Sequence, residues 1–146
     1  MPEGDGADLF RLGRFVDAQD RRDVYAYALA ELQRGQKVGH WMWFVFPQIR
    51  GLGRSAMAQE FAISSLKEAR AYLAHPVLGP RLRECSAVLT LLRELSAVQI
   101  FGSTDAMKLR SSMTLFHRAA PDEVVFRNVL DRYFDGRTDD ATDRLL

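Results

Sequence analysis

The chain has 146 residues, 20 of them basic and 19 acidic, for a formal net charge of +1. That is about one domain in length, and 47% hydrophobic residues are enough for a core without metal or disulfide support. The near-neutral charge weighs against a general polyanion binder, the single cysteine, Cys85, excludes an internal disulfide, and no run approaches the ~20 apolar residues of a membrane span.

Residues 1–7 are acidic and Gly-rich and read as a disordered tail. They lack the apolar region of a secretory signal, so the expected location is the cytoplasm. Residues 8–146 read as a single helical domain. Asp8 is placed to cap a first helix with Leu9, Leu12 and Val16 on one stripe. Asp20 is placed to cap a second, Arg21 to Arg34, which turns Tyr25, Ala28, Leu29 and Leu32 inward and ends at Gly35.

Six apolar residues then run unbroken from Trp41 to Phe46. A run this apolar is buried or lines a pocket. No other stretch reads as a strand, and a lone strand has no ladder partner. The segment is therefore expected to be a short helix or irregular, stopped by Pro47. Gly51 to Ser55 form a turn, and Ser55 can cap a short helix to Phe61.

Ser65 and Glu68 have the spacing of a capping box. They open a helix with Leu66, Ala69 and Leu73 inward, broken at His75-Pro76. The next helix, about Val77 to Leu95, is the most apolar. Leu78, Leu82, Cys85, Leu89 and Leu92 form one stripe, and Val88, Leu91 and Leu95 a second. A helix apolar on two sides is expected at the centre of a bundle. Ser96 caps a single turn ending at Gly102. Ser103 caps a helix from Thr104 to Ala119, with Leu109, Met113 and Phe116 inward. Pro121 starts another, with Val125, Val129, Leu130 and Tyr133 inward, and the C-terminal residues can add a short one. The expectation is an all-α, single-domain bundle of about six to eight helices.

Two blocks hold the residues suited to chemistry. Lys37, His40, Gln48 and Arg50 flank the aromatic run. On the predicted 104–119 helix, Lys108 and Ser112 are four residues apart with Ser111 adjoining, while Arg110, Thr114 and His117 lie on another stripe. A cation among hydroxyls suits phosphate or carboxylate, although serines on helices commonly bond back to their own backbone. Trp41 and Trp43 can stack a base or nicotinamide ring, although packing in the core is the commoner role of such rings. Gly51-Leu52-Gly53-Arg54-Ser55 can cradle a phosphate, but it lacks the spacing and lysine of a P-loop.

His40 can serve as a base or an anchor, and a purely structural bond is the commoner outcome. His75 and His117 read as helix-end residues. The histidines have no metal-ligand spacing and no cysteine pair accompanies them, so no metal and no cofactor is assigned. The candidate ligand-binding residues are Lys37, His40, Trp41, Trp43, Gln48, Arg54, Lys108, Arg110, Ser111 and Ser112. No catalytic residue is assigned.

Four blocks in this order, His40-Trp41-Met42-Trp43-Phe44-Val45-Phe46-Pro47-Gln48, Gly51 to Ser55, Leu73 to Gly79 and Lys108 to Phe116, resemble the signature blocks of a bacterial domain-of-unknown-function family, DUF1810. The resemblance runs from about Asp8 to Phe134. It implies a mainly helical fold and no established activity. Members are often labelled calpastatin, a label that does not suit this chain. Calpastatin-type inhibitors are disordered and polar, whereas this sequence has the apolar content and periodicity of a packed domain.

Three functions compete. The first is a binding domain for an anionic or nucleotide-like small molecule, or an enzyme acting on one, with its pocket between the 40–50 segment and the 104–119 helix. The alternative is a protein-interaction or scaffold module without catalytic activity, which would expose an apolar patch on the order of several hundred Å². Nucleic-acid binding through Arg11, Arg14, Arg21 and Arg22 is the least favoured, given the charge balance. No membrane partner is expected, and the sequence specifies no oligomeric state.

Overall fold

Local signals place most of the helices. The computed structural model describes residues 8–146, so the expected N-terminal tail lies outside the described residues. In chain order the elements are α1 (Gly13–Asp20), a 3₁₀ turn (Arg21–Asp23), α2 (Val24–Arg34), α3 (Met42–Val45), α4 (Ala56–Glu60), α5 (Leu66–Ala74), α6 (Leu78–Leu91), α7 (Ala97–Phe101), α8 (Ser103–Ala119), α9 (Val124–Phe134) and α10 (Asp140–Leu145). The protein is an all-α helical bundle. Among the described residues the β-type pairing is one isolated parallel bridge, Ile49 with Ile63. No helix among them is long and apolar enough to cross a membrane.

Where a cap is local, it forms as its spacing predicts. Ser55 accepts from the Ala58 amide, and Ser96 and Gln99 close a reciprocal capping box. Gly35 ends α2 in the left-handed region at φ 76°. His75 turns the corner between α5 and α6, its Nδ1 accepting from the amides of Val77 and Leu78.

Several boundaries differ from expectation. Arg11 sits at φ 55° and breaks the chain before α1, so Leu9 is 74% exposed while Leu12 is buried. Arg22 and Asp23 are both left-handed, so α2 starts at Val24 rather than Arg21. The N-cap of α8 is Gly102, and Ser103 is already helical. At Ser65 only half the capping box forms. The hydroxyl accepts from the Glu68 amide, but the Glu68 carboxylate turns to the amide and hydroxyl of Ser64 and to Arg14.

The helix at the middle of the packing is α8. It lies against α5, α7, α9 and α10, and every residue from Ser111 to Phe116 is buried. Its apparent polarity is deceptive. The Ser111 and Thr114 hydroxyls bond back to the carbonyls of Met107 and Arg110, which lets them pass as small core residues. The helix predicted as central, α6, packs against α2, α5 and α9, with Leu78, Leu82, Cys85 and Leu89 of its first stripe fully buried. Its second stripe is split, with Leu91 74% exposed while Val88 and Leu95 are half-buried against the core. The helix ends at Leu91 because Leu92 turns extended, and Tyr133 and Arg132 of α9 take the Leu89 and Leu92 carbonyls.

The aromatic run enters the core as the short helix α3. Trp41, Met42, Phe44, Val45 and Phe46 are buried. Phe46 meets Trp41 and Phe101, each at 6.3 Å between ring centroids. Dry packing of these rings anchors the 40–50 segment against α7 and so beside the start of α8.

Candidate functional site

A buried carboxylate shapes the approach to α3. Glu31, near the end of α2, accepts from the amides of Val38 and Gly39 at 2.8 and 3.0 Å and from Trp41 Nε1 at 2.9 Å. Burial alone raises the pKa of this carboxyl. The three donors and the nearby Arg34 charge outweigh it and hold the group below the usual carboxylate range.

The loop that Glu31 holds carries Lys37. Its side chain is only 7% exposed. The ammonium donates to the Gly39 carbonyl at 2.6 Å, pairs with Asp105 at 2.8 Å and stands 5.0 Å from the Trp41 ring centroid. The other Asp105 oxygen lies 3.7 Å from Lys108, whose ammonium stands 5.1 Å from the Trp43 ring centroid. Trp41, Lys37, Asp105, Lys108 and Trp43 thus form a continuous ladder from the aromatic run to α8. Asp105 is its central rung, and it is absent from the sequence-derived candidates. Its signal was the three-residue spacing to Lys108, which allows a helical ion pair but is common on any solvated helix face.

Beyond the ladder lies a cleft of about 270 Å³, lined by Gln48, Leu52, Gly53, Thr104, Met107, Lys108, Ser111, Asp139 and Ala141. The loop that forms one wall is fixed by the Ile49–Ile63 bridge, in which Arg50 donates to Ile63 and Ile63 to Gln48, both at 2.8 Å. A Cβ on Gly53 would fall 2.4 Å from that of Ala58, so α4 presses on this wall from behind. Opposite, Ser111 Oγ lies 3.2 Å from Asp139 Oδ2. The same oxygen caps α10, accepting from the amide of Thr142 at 3.0 Å and its hydroxyl at 2.6 Å.

The structure brings some of the candidates together and not others. Lys37, Trp41, Trp43 and Lys108 share the ladder, and Gln48, Lys108 and Ser111 share the cleft. Trp41 is buried and donates to Glu31, so its ring is core and not a stacking platform. Trp43 is half-buried, with the Lys108 ammonium over its ring. His40 is exposed and makes no hydrogen bond among the described residues. Arg54 is also exposed, and the contact it makes is through its carbonyl, to Gln59.

Arg110 is spent on structure, donating to the carbonyls of Arg137 and Thr138 and so tying the C-terminal segment to α8. Ser112 is fully buried, its hydroxyl without a partner among the described residues. Four residues carry a helix about 40° beyond one full turn, which rotates Ser112 from the edge held by Lys108 into the core. Cys85 is a buried thiol, pushed by burial up to about 12. Among the described residues no group of His, Cys, Asp and Glu is arranged to hold a metal ion.

An all-α domain with a charged and aromatic ladder running into a small cleft is the class of protein that the fold and site define. The chain belongs to the family described as "Protein of unknown function (DUF1810)", whose family model matches residues 9–146. It is similar to a solved structure, the conserved hypothetical protein Rv1873 from Mycobacterium tuberculosis, with 50% identity and a TM-score of 0.92 over 95% of this chain and 98% of that one. No curated relative matches the chain.

Proposed function

We propose that this protein binds a compact small molecule through an anionic group, in the cleft between the 48–53 loop and α8. One observation carries the reading: Lys108 is a cation whose counter-ion is already taken. The close bond of Asp105 goes to Lys37 at 2.8 Å, leaving Lys108 at 3.7 Å from the second oxygen. Lys108 is 23% exposed, and it lines the cleft beside Gln48 and Thr104, two neutral groups able to donate to an anion. A few convergent polar groups around an apolar floor are the usual make-up of a small-molecule site.

The volume limits the ligand. Sites for drug-sized molecules run to roughly 300–1,000 Å³, and this cleft holds about 270 Å³. A whole nucleotide exceeds it, and a single small metabolite does not. A cytoplasmic setting, where a lone reduced thiol such as Cys85 persists, suits that role.

A thermal-shift screen with small carboxylates, sugar phosphates and inorganic phosphate tests the reading, since a ligand that binds only the folded state raises its stability. A concentration-dependent rise in Tm that Lys108→Met abolishes is the expected result. No rise with phosphate or with any small carboxylate, amino acids included, or the same rise in the variant, would remove the cleft from consideration.

A further inference from the structure

The anion reading accounts for Lys108 and leaves unexplained the acid that lines the same cleft next to Ser111. Asp139 caps α10, and every bond that it accepts there falls on Oδ2: from Ser111, from the Thr142 amide and from the Thr142 hydroxyl. Oδ1 accepts none among the described residues, although an ionised carboxylate has two oxygens of equal capacity. The residue lines the same cleft as Lys108. A cap alone needs one oxygen, and the second is held in place by the two bonds from Thr142 to the first, with the Ser111 hydroxyl shared between that oxygen and the Met107 carbonyl.

Charge then selects between kinds of anion. The charges lining the cleft are one ammonium, Lys108, and one carboxylate, Asp139. The nearby Lys37–Asp105 pair is neutral as a unit, and the guanidinium of Arg110 is committed to two carbonyls. A phosphate dianion would meet a single cation and share a small space with a like charge. A ligand with its own cation would meet a partner at each end. The apolar residues that line the cleft with them are Leu52, Met107 and Ala141.

Resting on the reading of the cleft given above, we infer that its ligand is a zwitterion, an α-amino acid with an aliphatic side chain. Its carboxylate meets Lys108, its ammonium meets Asp139, and its side chain lies on Leu52 and Met107. The size of the cleft, about 270 Å³, favours a molecule of this length over a longer peptide.

Calorimetric titration of the full chain with four probe types tests this. Leucine and methionine carry both charges, N-acetyl-leucine the carboxylate only, isoamylamine the ammonium only, and inorganic phosphate neither an ammonium nor an apolar group. The amino acids are expected to bind at least tenfold more tightly than the other three. Asp139→Asn, whose amide oxygen can still cap α10, is expected to erase the preference for leucine over N-acetyl-leucine, and a melting curve reports whether it folds. The ligand series on the unaltered protein decides the matter without that variant. If N-acetyl-leucine or phosphate binds as tightly as leucine, and Lys108→Met abolishes that binding, the zwitterion is wrong and the anion site stands. If none of the four binds, or if Lys108→Met changes nothing, both readings fail.

Discussion

Lys108 stands over the Trp43 ring at 5.1 Å and is braced by Asp105 at 3.7 Å, on the same helix three residues before it. Neither contact is close or dry enough to be a strong structural bond. A partly exposed cation over an indole contributes about 0.5–1 kcal/mol, and an exposed helical ion pair about 0.3–0.5. Lys108→Met is therefore expected to fold normally and to lose about 1 kcal/mol or less in urea denaturation. A loss several times larger would make Lys108 a structural residue first and weaken its claim as a ligand contact.

Glu31 makes the opposite kind of contribution. Three donors converge on one of its oxygens, two of them backbone amides that cannot turn away. Glu31→Ala leaves the Trp41 indole N–H unsatisfied in a buried place, at about 1–3 kcal/mol, and the part-buried Val38 and Gly39 amides at a smaller cost because water can reach them. We expect a loss of about 3 kcal/mol and a freed 37–41 loop. Hydrogen exchange at the Val38 and Gly39 amides should rise by orders of magnitude in the variant. Unchanged protection at both amides would contradict the assignment. The carboxyl lies below the usual range in the folded protein. Its stabilisation is thus complete above the unfolded carboxylate pKa and is lost as the pH falls through the lower folded value. The acid limb of the stability curve should flatten in Glu31→Gln.

Arg14 binds together parts of the chain that are distant in sequence. Its guanidinium donates to the carbonyls of Phe10, Arg11, Glu60 and Ala62 and pairs with buried Glu68 at 3.2 Å. Arg14→Met keeps most of the side-chain volume but strands the Glu68 charge. Breaking one side of a buried pair costs about 3–5 kcal/mol. The double variant Arg14→Met, Glu68→Gln should recover part of that loss, because no buried charge is then left alone. Two fully additive single losses in denaturant titrations would show that the pair is not coupled.

His117 gives the stability curve a feature nearer neutral pH. Its Nδ1 is buried without a partner among the described residues. Burial lowers its pKa, Arg118 and Arg127 push the same way, and Asp131 and Asp143 only partly oppose them. The folded protein therefore takes up this proton less readily than the unfolded chain. Stability is expected to decline as the pH falls below about 6.5, the ordinary histidine value, until the folded imidazole also titrates. His117→Gln should remove this decline between pH 7 and 5 while leaving the steeper carboxylate loss at lower pH. Equal slopes for the two proteins over that interval would exclude His117 as the cause.

Gly79 marks a close approach between α6 and the end of α5. A Cβ there would fall 2.1 Å from the Leu73 carbonyl oxygen, a backbone atom at the end of α5. Gly79→Ala must push the start of α6 away from α5, and overpacking of this kind costs about 1–3 kcal/mol. Gly13→Ala makes a useful contrast, because the neighbour there is the Asp8 carboxylate, a side-chain tip near the chain end, at 3.2 Å. It should be near neutral or stabilising through helix propensity. Melting temperatures that rank the two variants in the opposite order would refute this account.

What could be read from the sequence is what depends on neighbours a few residues apart. The caps at Ser55 and Ser96, the stop at Gly35, the short α3 ending before Pro47 and the corner at His75 all follow from contacts within one or two helical turns. The apolar periodicity made the all-α class legible as well, because a helix must bury one stripe wherever it finally packs. The same reading put Ser112 beside Lys108, since spacing alone does not say which side of the helix faces the core.

Only the tertiary structure decided which polar groups meet. Arg14 and Glu68 are 54 residues apart, and Lys37 finds Asp105 rather than any nearer acid. Tertiary packing likewise makes α8 central although its sequence looks half polar, turns Arg110 into a structural tie, and puts Asp139 and Lys108 in the lining of one cleft. A charged side chain reads the same in sequence whether water or a remote residue solvates it. Its role is set when the core closes and removes the water, and the chain's apolar pattern does not encode which partner is then within reach.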